Sequence, residues 1–122
     1  MISFKKLLLL NIYYYLFLQN ITITLCAIIK PYDRNKWYCG TDNLMHGIAK
    51  TVTINACTLD EYVQINKCCY HHDNCYALKL GKERCDKRFC DCMKVKTKPC
   101  KLLTYGFCFA TEGYGKDAYN EL

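Results

Sequence analysis

The sequence predicts a mainly α, small disulfide-rich domain built on two long antiparallel helices cross-linked by disulfides. Two observations carry that expectation. The chain has 11 cysteines in 122 residues, ten of them after an apolar N-terminal segment. Such density marks small domains of oxidising compartments, which bury too little core to dispense with cross-links. The second observation is a matched spacing: Cys68 and Cys75 lie seven residues apart, and so do Cys85 and Cys92. Seven residues is close to two helical turns, so each pair falls on one stripe of its own helix. Two such helices running antiparallel allow the bridges Cys68–Cys92 and Cys75–Cys85. That register brings Asp86 within about one helical turn of His72.

The elements follow in order. Residues 1–27 read as a signal peptide: Lys5 and Lys6 precede an apolar run from Leu7 to about Ile29, with small Ala27 after Cys26. The run is also long enough for an uncleaved anchor, but the cysteine-dense domain behind it favours cleavage and a secreted, extracellular product spanning 28–122. Cleavage removes Cys26 and leaves an even set of ten. Lys30 to Met45 reads as a loop containing Pro31 and Gly40. A short helix is expected from near Asn43 toward Lys50. Thr58-Leu59-Asp60-Glu61 supplies an N-cap and first-turn acids for a long helix ending near Gly81. Cys69, His72 and Tyr76 share one face of it. A second long helix should run from about Lys82 to Lys98 and stop at Pro99. Its inner stripe would be Cys85, Asp86, Phe89, Cys92 and Met93. Lys101 to Leu122 gives no assignable element.

Net charge is +6, and nine Lys/Arg crowd Lys79 to Lys101 against Glu83, Asp86 and Asp91. A cluster of that kind attracts anionic head groups or simply solvates a helix face. No nucleic-acid-binding signature accompanies it, so a nucleic-acid partner is not expected.

A histidine oriented by a carboxylate removes a proton from water or a hydroxyl. No serine lies downstream of Ser3, and the later cysteines are expected in bridges, so water is the expected nucleophile. That chemistry asks for a Lewis acid. Asp73 offers a carboxylate to Ca2+, and the loop around Gly40 offers backbone carbonyls. Each residue also has a plain structural use: His72 as a core histidine, Asp73 and Asp86 as surface acids, Cys39-Gly40 as a bridged turn. A zinc site is the rival use of Cys and His, disfavoured by adjacent Cys68-Cys69 behind a signal peptide.

The motifs resemble those of the secreted phospholipases A2, in their short, invertebrate-like subgroup. Cys-Cys-x-x-His-Asp-x-Cys is matched from Cys68 to Cys75, aromatic-Cys-Gly by Tyr38-Cys39-Gly40, and Cys-Asp-x-x-Phe-x-x-Cys by Cys85, Asp86, Phe89 and Cys92. The resemblance implies a calcium-dependent hydrolysis of the sn-2 ester of glycerophospholipids by a monomer working on a phospholipid membrane surface or micelle. It implies His72 as general base, Asp86 as its orienting carboxylate and Tyr76 as the hydrogen-bond partner of that carboxylate. Asp73 and the carbonyls of Tyr38, Gly40 and Asp42 are the implied Ca2+ ligands, and the amide of Gly40 an implied oxyanion donor. A Cys39–Cys69 bridge is implied as well, while Cys57, Cys90, Cys100 and Cys108 keep three possible pairings. Asp42 stands where the family usually has glycine. Noncatalytic members of the family supply the alternative, a weak or inactive lipid- or receptor-binding protein.

Overall fold

The computed structural model describes residues 4–121, of which the side chains at 4 and 25–28, that of Cys26 included, lie outside the described set. The described residues form six helices and no strand: α1 Phe4–Ile28, α2 Asn43–Ala56, α3 Leu59–Ala77, α4 Lys82–Cys92, α5 Lys98–Tyr114 and α6 Lys116–Glu121. They divide into two compact units, Met1–Pro31 and Tyr32–Leu122. The first is α1, whose stretch Lys5–Thr24 is apolar and long enough to cross a bilayer and buries none of its surface.

In the second unit α3 and α4 run antiparallel, joined by the nested bridges Cys68–Cys92 and Cys75–Cys85, each with Cα atoms 5.7 Å apart. Both pairs are those the seven-residue spacing allows. Cys39–Cys69 ties the N-terminal loop to α3, and Cys57–Cys100 ties the end of α2 to the start of α5. The core gathers Trp37, Tyr38, Ile65, Phe89 and Met93 around these sulfurs.

Helix α3 begins where its capping box places it. Thr58 accepts from the Glu61 amide, and the Glu61 carboxylate accepts from the Thr58 amide, so two orphan donors are satisfied reciprocally. It ends at Ala77, short of Gly81. The terminator is Lys79, held at φ 52°. Its amide bonds Tyr76 O and the Leu80 amide bonds Cys75 O, the paired closure of a Schellman turn, with lysine where glycine is usual. Gly81, at φ 97°, then opens α4.

Three further expectations are corrected. Helix α2 continues past Lys50 to Ala56, because Ala49 and Thr53 bury one face and outweigh the strand preference of Thr51 to Ile54. Helix α4 ends at Cys92 rather than running on to Lys98. Gln64 of α3 donates to the carbonyls of Cys92 and Lys94 and takes up the groups that another turn would have bonded. Pro99 starts a helix instead of stopping one: it sits in the first turn of α5, where its missing N–H costs nothing. The tail after Lys101 is therefore helical, in α5 and α6.

Candidate functional site

The two bridges between α3 and α4 set His72 against Asp86. His72 Nε2 lies 2.9 Å from Asp86 Oδ1. One turn on, Tyr76 donates its hydroxyl to the same oxygen at 2.5 Å. The second oxygen, Oδ2, accepts from the Lys82 ammonium at 2.5 Å. Lys82 also donates to the carbonyls of Thr111 and Glu112, both at 3.2 Å. It thereby ties the last turns of α5 to the carboxylate. The His72 ring is packed between Tyr76 and Phe89, with centroids 4.1 and 4.8 Å away.

The electrostatics follow from that packing. Burial pushes the His72 ring below its ordinary value, with Asp86 opposing and Lys82 adding to the depression. The imidazole is therefore neutral at neutral pH and able to accept a proton. Asp86 is only 3% exposed, and burial works against its charge. The bonds from Lys82, Tyr76 and His72 outweigh burial and hold the carboxyl below its usual range. A charged Asp86 makes Nε2 the protonated nitrogen of His72, which leaves the basic lone pair on Nδ1. Burial, followed by the bond to Asp86, drives the Tyr76 hydroxyl upward, so it stays a donor.

The loop before α2 is held along one stripe of α3. Asn66 accepts from the Tyr38 amide at 2.8 Å and donates to Lys36 O at 2.7 Å. Cys69, one turn later, is bridged to Cys39. Asp73 occupies the next position of the same stripe, at i, i+3, i+7 spacing. Desolvation by the surrounding atoms raises its carboxyl to about 7, against the pull of Lys36. Its side chain nevertheless keeps access to solvent, so the upward direction is what the surroundings set. A carboxylate whose charge is poorly compensated, next to a loop pinned at Tyr38 and Cys39, suits a hard cation with oxygen ligands. Gly40 takes φ +111°, and a Cβ there would stand 2.5 Å from His46 N, so only glycine fits. Asp42 has another post. It caps α2, with Oδ1 accepting from Met45 N and its carbonyl from His46 N at 2.8 Å. Of the four expected ligands, Tyr38 and Gly40 flank a cysteine bridged to the α3 stripe that carries Asp73, and Asp42 is committed to the cap.

A groove of about 300 Å³ between α3 and α4 reaches His72, with Leu78, Leu80, Arg88 and Phe89 in its walls. Asp73 is not part of that lining. Cys57, Glu61 and Cys100 also cluster, but the sulfurs are bridged to each other and Glu61 accepts from Thr58, Lys96 and Thr97. That group is a structural knot with no spare donor atom.

The chain is similar to a phospholipase A2-like protein. The relative, from Caenorhabditis elegans, is 32% identical over 99 residues, which cover 76% of this chain and 56% of the relative. The chain thus spans little more than half the length of that relative. No family model and no solved structure matches.

Lys82 and Gly115 are site residues that motif reading missed. Lys82 had a signal, since it precedes Asp86 by four residues on one helix. Gly115 had none. A Cβ there would sit 2.7 Å from the Tyr76 hydroxyl, a contact between positions distant in sequence that no local pattern announces.

Proposed function

We propose that this chain is a secreted, calcium-dependent phospholipase A2-type esterase that cleaves the sn-2 ester of glycerophospholipids. The observation that carries the reading is the buried His72–Asp86 pair, with Tyr76 on the same oxygen and Asp73 beside it in sequence. In this reading His72 Nδ1 takes the proton of the attacking water. Asp86 keeps the ring in the Nε2–H tautomer and stabilises the imidazolium that forms. Asp73 and the carbonyls of Tyr38 and Gly40 would hold Ca2+, whose chemistry is to polarise an ester carbonyl. The amide of Gly40 is the candidate oxyanion donor. Four disulfides and the apolar helix α1 support an extracellular setting.

One observation favours a second reading, a phospholipase A2-like binding protein with weak activity or none. Asp42 stands where the related loop has glycine, its side chain caps α2 and its carbonyl already accepts from His46 N. Hydrolysis of phosphatidylcholine micelles by the refolded 28–122 chain, with calcium or with chelator, separates the two. Chelator-sensitive hydrolysis, lost by a factor on the order of 100 or more in His72→Gln, supports the enzyme. Equal rates for wild type and His72→Gln would leave the binding protein.

A further inference from the structure

Four bridges account for eight of the ten cysteines beyond α1. The two that remain are Cys90 and Cys108. Cys90 is in the last turn of α4 and Cys108 in the middle of α5, two helices that pack on one another. Glu112, one turn beyond Cys108, brings a carboxylate oxygen to 3.9 Å from Cys90 Sγ. Both cysteines are half-buried. Cys90 thus faces the stretch of α5 that carries Cys108 one turn before Glu112, which is the neighbourhood a bridge requires.

We infer that Cys90 and Cys108 are an oxidation site that closes as a fifth disulfide, clasping α4 to α5. The oxidant is a disulfide of the secretory compartment, either of low molecular weight or carried by an oxidoreductase. One thiolate attacks the oxidant's disulfide and expels one of its thiols. The second thiolate then attacks the protein sulfur of the mixed disulfide and expels the other. The cysteines lose two electrons and two protons; the oxidant disulfide gains both and leaves as two thiols. Burial first, and the Glu112 carboxylate among the other causes, pushes both thiols upward. Thiolate is scarce there, which slows attack by either sulfur. Once closed, it holds α5 one turn from the Thr111 and Glu112 carbonyls that Lys82 bonds, and so braces Asp86 from outside the site. The inference does not depend on the chain being an enzyme.

The test uses the full chain refolded in a glutathione buffer, alkylated with iodoacetamide and digested without reduction. Cleavage before Asp91 separates Cys90 from Cys92, and trypsin cuts after Arg88, so the Cys90 peptide is read by itself. A Cys90–Cys108 linked peptide beside the other four bridges is the expected result. The Cys90→Ala/Cys108→Ala double variant should keep the other four bridges and melt about 5 to 15 °C lower. Both cysteines alkylated after the other four bridges are complete would overturn the inference, as would either cysteine linked to Cys26 or elsewhere. Retention of both thiols with a bound zinc ion would overturn it too, by making the pair a metal site with Glu112. Should the double variant fail to fold, the peptide map of the unmodified sequence alone decides.

Discussion

Asp86 accepts three bonds on two oxygens while almost wholly buried. A buried carboxylate is tolerable only when such partners outweigh its desolvation. Lys82 contributes the only full positive charge among them when His72 is neutral, and its side chain is itself largely covered, at 21% exposure. Lys82→Met should therefore lower stability by about 1–3 kcal/mol and cut hydrolysis roughly tenfold by letting Asp86 drift from His72. Lys82→Arg should recover most of both, as read by urea melts and initial rates. Gly115 meets the same network from the other side. Gly115→Ala places a methyl 2.5 Å from Thr111 O and 2.7 Å from the Tyr76 hydroxyl, both too close. The expected cost is about 1–3 kcal/mol, and a Tyr76→Phe background, which removes the hydroxyl, should relieve part of it. A double-mutant cycle of thermal melts reads that coupling, and strict additivity would show that Tyr76 is not what the methyl strikes.

Helices α3 and α4 were legible because their determinants are local or periodic. Cysteines at matched seven-residue spacing give the antiparallel register, and Thr58 with Glu61 gives the start of α3. What escaped was decided by partners distant in sequence. Gln64 ends α4 from the neighbouring helix, and Lys79 adopts a left-handed turn that no lysine advertises. Pro99 was misread because the residue that ends a helix interior is also the one that suits a first turn. Glu61 shows the same limit. Its place in the capping box is readable, but its second task is not: it also accepts from the amides of Lys96 and Thr97, each at 2.8 Å, and so joins the starts of α3 and α5. The bonds from Thr97 first, then from Thr58, with Lys96 adding least, hold the carboxyl at about 2, far below its ordinary 4.5. The native state thus binds fewer protons here than the unfolded chain. The stabilisation is fully present above pH 4.5 and is lost as pH falls through about 2. Glu61→Gln, which cannot carry the charge, should melt lower at neutral pH and show a flatter fall in melting temperature across that acid window. A parallel fall for both proteins would place the acid sensitivity elsewhere.

At the scale of the whole molecule, the disulfides make a frame in which the cation corner is the least settled part. Cys39–Cys69 and Asn66 fix the loop as far as Cys39, and Asp42 caps α2. Gly40 and Thr41 lie exposed between these two anchors. Asp73, on the α3 stripe that anchors the loop, has its carboxyl raised to about 7 by desolvation. A carboxyl raised in the native state destabilises the fold progressively as pH climbs from its unfolded value near 3.8 toward 7, because charging it costs more in the native chain than in the unfolded one. A cation bound there reverses the sign, since it binds only the native chain and favours the ionised form. With chelator at pH 8, Asp73→Asn should melt higher than wild type, because the amide escapes the charging cost. With calcium at about 100 times its dissociation constant, wild type should gain about 2.7 kcal/mol and Asp73→Asn nothing, so the order of the two melts inverts. Calcium that stabilises both proteins equally would move the cation away from Asp73. A wild type indifferent to calcium would instead mean that a loop with Asp42 spent on a helix cap no longer closes around the ion, leaving a complete His72–Asp86 pair without the electrophile its chemistry requires.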